Sequence, residues 1–430
     1  MLGMIRTPSS EYGPRTRPKP FTFYPPKTSA FWVGVAKLGL RRMIRRQLHV
    51  TEVDVRDEDL ARLRALQGKR RLLTPSHSGG FEPHIVMYLS KLTGDIFNFV
   101  AAVEVFEQAP INRWLMPRLG VYSVVRGAVD RQSFAMTRQI LAEGKRPLVI
   151  FPEGQAILQN SMLAPFQQGV IQLAFKAHED AKAADTGAHL YCVPIAIKYI
   201  YLQDMHGEID LSLDRLAAAV GLAGGGKSSS RYERLRQIAE AVLVANEKAH
   251  HVSAGANASM DSRIQNLKAH VAAKIEGQLA IVPSDKQGLL ERVRVMFNAL
   301  DRIVHDEPPS SEYEQRLAVE RQQLARTLYE DVWRLLQLVA VYDGYVRESM
   351  TVERFMDVLC LLELEVFQTR KVWGPRKACV RVGEPIDLLD HAEAYDANKR
   401  EVVQRVNSAL ESSVQEMLRA MEANCAMVRE

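Results

Sequence analysis

Little in this 430-residue chain commits it to a specialised environment. Cysteine is scarce. Cys192, Cys360, Cys379 and Cys425 are too scattered for a disulfide framework, which fits a reducing compartment. No apolar stretch is clean enough to span a bilayer: the uncharged run from Gln155 to Phe175 carries glutamines, an asparagine and a proline. The first twenty residues are polar and proline-containing, without the apolar core of a secretory signal. A net charge of +5 allows attraction to anionic surfaces but argues for no nucleic-acid partner. With 47% hydrophobic and 25% charged residues the composition is that of a globular protein, long enough for two domains or for one with a large insertion. The expected location is cytoplasmic, either soluble or peripheral on the inner face of the membrane.

The membrane option has a specific segment. Within residues 1–47, Phe31-Trp32-Val33 and Leu38-Gly39-Leu40 precede Arg41, Arg42, Arg45 and Arg46. At helical spacing, residues 31–46 present an apolar face rimmed by arginines, suited to a bilayer interface with anionic lipid. The plainer reading is a first helix packed on the domain, with its arginines solvated.

Residues 48–205 alternate strand and helix signals. Strands are predicted at Arg71–Pro75, Ile96–Val105, Val121–Val125, Pro147–Phe151 and Leu190–Tyr199, with helices from Ile85, at Asp130–Glu143 and at Gln168–Ala181. This predicts an α/β fold with a mixed, partly parallel sheet flanked by helices. Residues 206–375 are helix-patterned, with one long pattern from Glu312 to Leu364. Strand character returns at Ala378–Val382, followed by a last helix from about Ala397. The simplest organisation is one α/β domain, 48–205 and 376–430, with an all-helical insertion before its last strand. Gly221–Ser228 fits GxxxxGK(S/T), but a phosphate loop needs a buried strand before it, and Leu213–Val220 is helix-like. A Gly/Ser linker is the simpler reading, and an NTPase the more remote one.

The chemistry concentrates in four places. His77-Ser78-Gly79-Gly80-Phe81-Glu82-Pro83 puts imidazole and carboxylate on one tight turn, where Glu82 can fix the histidine tautomer and stabilise the imidazolium. The turn's backbone amides are candidate oxyanion donors. His84 allows a metal reading, but the spacing is no familiar zinc pattern. Arg126 ends the strand in Gly120-Val121-Tyr122-Ser123-Val124-Val125-Arg126 and can hold an anion. Phe151-Pro152-Glu153-Gly154 follows a short buried strand. Pro194 interrupts another strand, implying an edge, a bulge or a substrate-lining kink.

In this order the four resemble the glycerolipid acyltransferase family typified by 1-acylglycerol-3-phosphate acyltransferase, whose pattern is a histidine with an acid five residues on, a glycine–arginine strand, FPEG and a valine–proline strand. Phe166-Gln167-Gln168-Gly169 and Val382-Gly383-Glu384-Pro385-Ile386 resemble family segments too, so the likeness covers about residues 45–202 and 378–425. The resemblance implies acyl transfer from acyl-CoA or acyl-carrier protein to a hydroxyl of a lysophospholipid or glycerol-phosphate-like acceptor. It implies His77 as general base oriented by Glu82, and Ser76, Gly79, Gly80, Arg126, Phe151, Pro152, Glu153, Gly154 and Pro194 around the substrate. Glu153 and Gly154 would meet glycerol or headgroup hydroxyls. No metal or bound cofactor is called for. The chain departs from the pattern at Glu82, where aspartate is usual, and at Gln155-Ala156, where threonine or serine and then arginine usually follow FPEG. A regulatory protein that has lost activity on the same fold is the alternative. Oligomeric state is not legible in the sequence.

Overall fold

The computed structural model describes residues 22–125, 130–222, 230–253, 255, 258–284, 287–305, 311–339, 341–369 and 371–429. In the α/β part the order is α1 (Ala30–Leu48), β1 (Val50–Val55), α2 (Asp57–Ala65), β2 (Arg70–Pro75), α3 (Glu82–Thr93), β3 (Asn98–Ala102), α4 (Val103–Glu107), α5 (Pro110–Arg118), β4 (Val121–Val124), α6 (Arg131–Glu143), β5 (Leu148–Val149), α7 (Gln168–Ala184) and β6 (Leu190–Tyr201). The insertion follows as α8 (His206–Ala219), α9 (Arg231–Ala249), α10 (Met260–Gln278), α11 (Leu289–His305), α12 (Glu312–Val339), α13 (Tyr345–Glu348) and α14 (Val352–Phe367). The chain then returns as β7 (Arg376–Val382), β8 (Ile386–Asp387), α15 (Ala392–Ala397) and α16 (Lys399–Glu422).

The eight strands form one sheet in the order β1-β7-β6-β2-β5-β3-β4, with β8 also on β6. Pairings are parallel except where β6 meets β7 and β8, so the sheet is mixed and mostly parallel, as the sequence predicts. Strand alternation explains the continuous apolar runs. Leu72 and Leu148 join a core with Phe175 of α7 and Leu410 of α16, while Leu73 and Val149 face Leu40 and Ile44 of α1 and Ile85 of α3.

Several local expectations are corrected. The extended run predicted over Ile96–Val105 is strand only to Ala102. Val103 starts a short helix that seats Phe106 against Tyr24, with ring centroids 5.0 Å apart. Pro147–Phe151 contributes only Leu148–Val149 to the ladder, because Pro152 begins a turn. The pattern from Glu312 to Leu364 is three helices, not one; Gly344 precedes α13, and the Thr351 side chain caps α14. Pro194 is not on an edge. It pairs with Thr74 in the middle of the sheet, and its carbonyl accepts from Gly383 at 2.9 Å. Its missing N–H therefore faces the break between β7 and β8, where no ladder bond is lost. The segment before the GxxxxGK(S/T) match is helix α8, and residues 223–229 lie outside the described residues.

The insertion is bound to the sheet through buried polar groups. Asp357 of α14 accepts from the Asn160 amide at 2.8 Å and from the Tyr345 hydroxyl at 2.6 Å. Glu353 accepts from Tyr201 N at 3.1 Å. Burial pushes the Asp357 carboxyl up to about 7 against those two hydrogen bonds. In the main core, Phe175 is fully buried and stacked on Tyr395 at 4.1 Å. Phe175→Ala is expected to lower stability by about 3–5 kcal/mol, measured by urea denaturation.

Candidate active site

The site forms at the C-terminal ends of adjacent parallel strands, where open α/β sheets bind ligands. Leu73 of β2 pairs with Val149 of β5. The same register carried four residues further sets His77 level with Glu153. On the other side Pro75 pairs with Ile195 of β6, and Tyr199 lies four residues beyond. Two turns and one strand thus converge on a single imidazole.

His77 Nδ1 lies 2.7 Å from Glu82 Oε2. With Nδ1 committed to the carboxylate, Nε2 is the nitrogen left for chemistry. The ring packs on Phe151, with centroids 4.5 Å apart, and the side chain retains 17% exposure. Glu82 has none. Its Oε1 accepts from Gly79 N at 2.7 Å and from the Tyr199 hydroxyl at 3.1 Å, and its Oε2 accepts from Gly80 N at 2.9 Å. Burial opposes ionisation of Glu82, but the hydrogen bond and charge of His77, with the backbone bonds, outweigh it and hold the carboxyl at about 2. A Cβ on Gly79 would stand 2.9 Å from Glu82 Oε1, so that glycine makes room for the carboxylate. Gly79 and Gly80 donate to Glu82, which removes both amides from the expected set of oxyanion donors.

Glu153 differs from the expectation more sharply. Its side chain is buried, Oε1 accepts from His77 N at 2.6 Å, and Oε2 accepts from Ala164 N at 2.8 Å. Both oxygens are engaged by backbone amides, so Glu153 fixes the His77 peptide and the far end of its own loop instead of meeting acceptor hydroxyls. Burial pushes its carboxyl up to about 7, against the hydrogen bonds of Ala164 and His77. Gly154 turns the loop at φ 75°, and a Cβ there would collide with the Gln167 side chain. Pro152 accepts from Gln167 N at 2.9 Å. Ser76 is buried, and its Oγ accepts from Ile197 N at 2.9 Å, fastening the end of β2 to β6. Pro194 lies back from the strand ends, its ring against Gly383. Arg126 lies outside the described residues.

Other residues complete the site from far away in sequence. Asn160 clamps the loop to β6, its side chain donating to Tyr199 O at 2.6 Å and accepting from Tyr199 N at 2.8 Å. The fully buried Lys198 donates to Ser161 Oγ at 2.6 Å, and Glu411 of α16 accepts from Phe166 N at 2.7 Å. Arg294 of α11 donates to Glu153 O at 2.6 Å. Strand alternation puts Tyr199 on the same face as Ile195 and Ile197, but nothing in the sequence says that β6 lies beside β2.

The site is thus a histidine held by a buried acid at the strand ends of a mostly parallel sheet, backed by a Phe-Pro-Glu-Gly loop. The family model for acyltransferases matches residues 52–198, from β1 through most of β6. Residues 52–198, about a third of the chain, are therefore similar to the acyltransferase family. No curated protein matches the sequence. The family carries acyl transfer as the general activity of this acyltransferase domain, and the insertion, β7, β8 and α16 lie beyond the matched residues.

The pKa of Glu82 fixes the sign of its linkage to pH. Its folded value is below the ordinary 4.5, so its contribution to stability is full above that pH and is lost as pH falls towards 2. Glu82→Gln must turn an NH₂ group towards a backbone amide. The stability gap between wild type and Glu82→Gln, read from denaturant curves, is therefore expected to narrow as pH falls from about 6 to about 3.

Proposed function

We propose that the protein transfers a fatty acyl group from an acyl thioester, acyl-CoA or acyl-carrier protein, to a hydroxyl of a lysophospholipid or glycerol-phosphate-like acceptor. The observation that carries this reading is the 2.7 Å contact between His77 Nδ1 and the buried Glu82, which leaves Nε2 as the proton acceptor. The acceptor hydroxyl gives its proton to Nε2 as its oxygen attacks the thioester carbonyl. The tetrahedral intermediate then expels the thiolate, which takes the proton back from the imidazolium. The C–O bond forms on attack, the C–S bond breaks as the intermediate collapses, and no acyl-enzyme intervenes. Glu82 orients the ring and stabilises its charged form, while Glu153 holds the His77 backbone. The step needs neither metal nor bound cofactor.

An apolar cavity of about 160 Å³ in the insertion supports a substrate with a hydrocarbon part. Leu235, Leu267, Val358 and Leu362 line it, and Gln159, in the loop that runs on from Phe151-Pro152-Glu153-Gly154, forms part of its wall. Space of this size holds a small apolar group.

Peripheral attachment to the cytoplasmic face of a membrane belongs to the same proposal. No helix among the described residues is long and apolar enough to cross a membrane. The buried side of α1 packs on the sheet through Leu40, Ile44 and Leu48, yet Leu38 is 81% and Phe31 68% exposed. Trp114 of α5 stacks edge-on against Trp32 at 4.9 Å and, with Ile111, extends the apolar face, while Arg41, Arg42, Arg45 and Arg46 are exposed beside it. Aromatic and aliphatic groups rimmed by arginine suit an interface with anionic lipid.

Mass spectrometry of lipids from cells expressing wild type or His77→Ala tests the reaction. Wild type is expected to accumulate one acylated product, and His77→Ala to slow its formation about 10²- to 10⁴-fold in purified protein. An unchanged rate would remove His77 from the chemistry. Separately, Leu38→Glu with Trp114→Glu is expected to weaken binding to anionic vesicles by at least about tenfold in a sedimentation assay. Raised salt should weaken wild-type binding as well.

A further inference from the structure

β2 ends at Pro75, but its neighbour β6 runs on to Tyr201. Beyond the last pair of these two strands, Pro75 with Ile195, the backbone of β6 meets side chains in place of a strand. Ser76 Oγ accepts from Ile197 N at 2.9 Å, the Asn160 side chain engages both Tyr199 N and Tyr199 O, and Glu353 Oε1 accepts from Tyr201 N at 3.1 Å. On its other side β6 stays in the β7 ladder, where Tyr199 pairs with Ala378. The Tyr199 backbone is therefore held on both sides, past the point where the parallel ladder has stopped and level with the His77 turn.

The Tyr199 ring is buried in the core that holds Leu40 of α1 and Ile85 of α3, and its hydroxyl donates to Glu82 Oε1 at 3.1 Å. The other donors to Glu82 are His77 Nδ1, the amides of Gly79 and Gly80 and, at 3.5 Å, the Ser78 hydroxyl, all of them in the turn that the carboxylate itself closes. Among the described residues, Tyr199 gives Glu82 its one hydrogen bond from outside that turn. The two amides hold the carboxylate in place without Tyr199, so what the hydroxyl adds is electrical. A donor draws charge from a carboxylate and lessens its pull on a protonated imidazole. His77 has to take a proton from the acceptor hydroxyl and then give it to the departing thiolate, and an acid that pulled harder would keep the proton on the ring. Glu153 in the loop after β5, His84 on α3 and Arg376 on β7 also face Glu82 or the Tyr199 ring, but among the described residues none of them donates to Glu82.

Resting on the acyl-transfer reading above, we infer that Tyr199 is a positioning residue for that reaction: its hydroxyl takes up part of the Glu82 charge, so that His77 both accepts the proton of the attacking hydroxyl and releases it to the thiolate. Tyr199 acts through Glu82 and touches neither the substrates nor the reacting atoms.

Kinetics of the full chain, with acyl-CoA or acyl-carrier protein as donor and lysophosphatidate as acceptor, and the NMR signal of the proton on His77 Nδ1 test this. Tyr199→Phe keeps the ring and removes the hydroxyl. It should move the acid limb of the kcat/KM profile up by about half to one pH unit, so that the loss reaches about 3- to 10-fold on the acid side and fades on the plateau. The Nδ1 proton resonance should move downfield as its acceptor gains charge. Tyr122→Phe, which removes another buried hydroxyl, 2.7 Å from Thr137 Oγ1, should do neither. Glu82→Asp draws the carboxylate back by about 1.5 Å, the length of one C–C bond, and away from Tyr199. Adding Tyr199→Phe to Glu82→Asp should then change the rate by less than about twofold at any pH. A loss that is uniform across pH, with the resonance unmoved, would make Tyr199 a packing residue and overturn the inference while leaving acyl transfer standing. Equal losses from Tyr199→Phe in the wild-type and Glu82→Asp backgrounds would overturn it too. If wild type transfers no acyl group, yet the resonance responds to Tyr199→Phe, the tie to Glu82 stands and the acyl-transfer reading falls.

Discussion

Every feature of this site depends on one turn being held by two carboxylates buried on either side of it. Glu82 grips the imidazole and the amides of Gly79 and Gly80; Glu153 grips the peptide nitrogen of His77. Their environments pull them apart. Glu82 gains a potential cation that helps hold its carboxyl at about 2, whereas Glu153 has only amide donors and burial pushes it up to about 7. One carboxylate therefore tunes the ring electrically while the other fixes where the ring begins. Neither is free to touch a substrate, so His77 is presented by a frame whose polar groups are already satisfied.

The frame extends into the insertion. The loop from Pro152 to Phe166 is largely buried, and a buried loop must find partners for its backbone polar groups. It finds them in Glu153 on Ala164 N, in Asp357 on Asn160 N, in Glu411 on Phe166 N and in Arg294 on two carbonyls. Two of these four supports come from the helical block. The insertion is thus part of the wall that holds this loop in one conformation.

Much of this was legible in the sequence, and the failures share a cause. The dyad was readable because His77 and Glu82 lie five residues apart on one turn, and the sheet because Leu72-Leu73 and Leu148-Val149 are short runs apolar on both faces. Glu153 was found but given the wrong partner: a glutamate after a strand looks the same whether it faces a cleft or a neighbouring backbone. Pro194 suggested an edge, a bulge or a substrate-lining kink because proline usually avoids central strands, and the break after Val382 explains why it is tolerated in this one. Tyr199, Asn160, Asp357 and Arg294 carried no local signal. Their partners lie from 39 to 197 residues away, and which segments meet is decided by strand order and by the insertion's packing, which no local pattern encodes.

The last ladder pair of β6 and β7 joins Tyr201 to Arg376, and Leu202 N still donates to Pro375 O at 3.0 Å. Topologically β6 and β7 are the two arms of a hairpin, and the whole helical block is its turn. Both ends of that block leave the sheet within one strand spacing of each other, which is about 5 Å. The entropy of closing such a loop grows only with the logarithm of its length, about 0.6 kcal/mol per doubling. The sheet's register is therefore nearly indifferent to how many residues the turn contains. A lineage could enlarge, trim or exchange the block, and with it two supports of the loop behind His77, without rewriting the strands that hold the histidine.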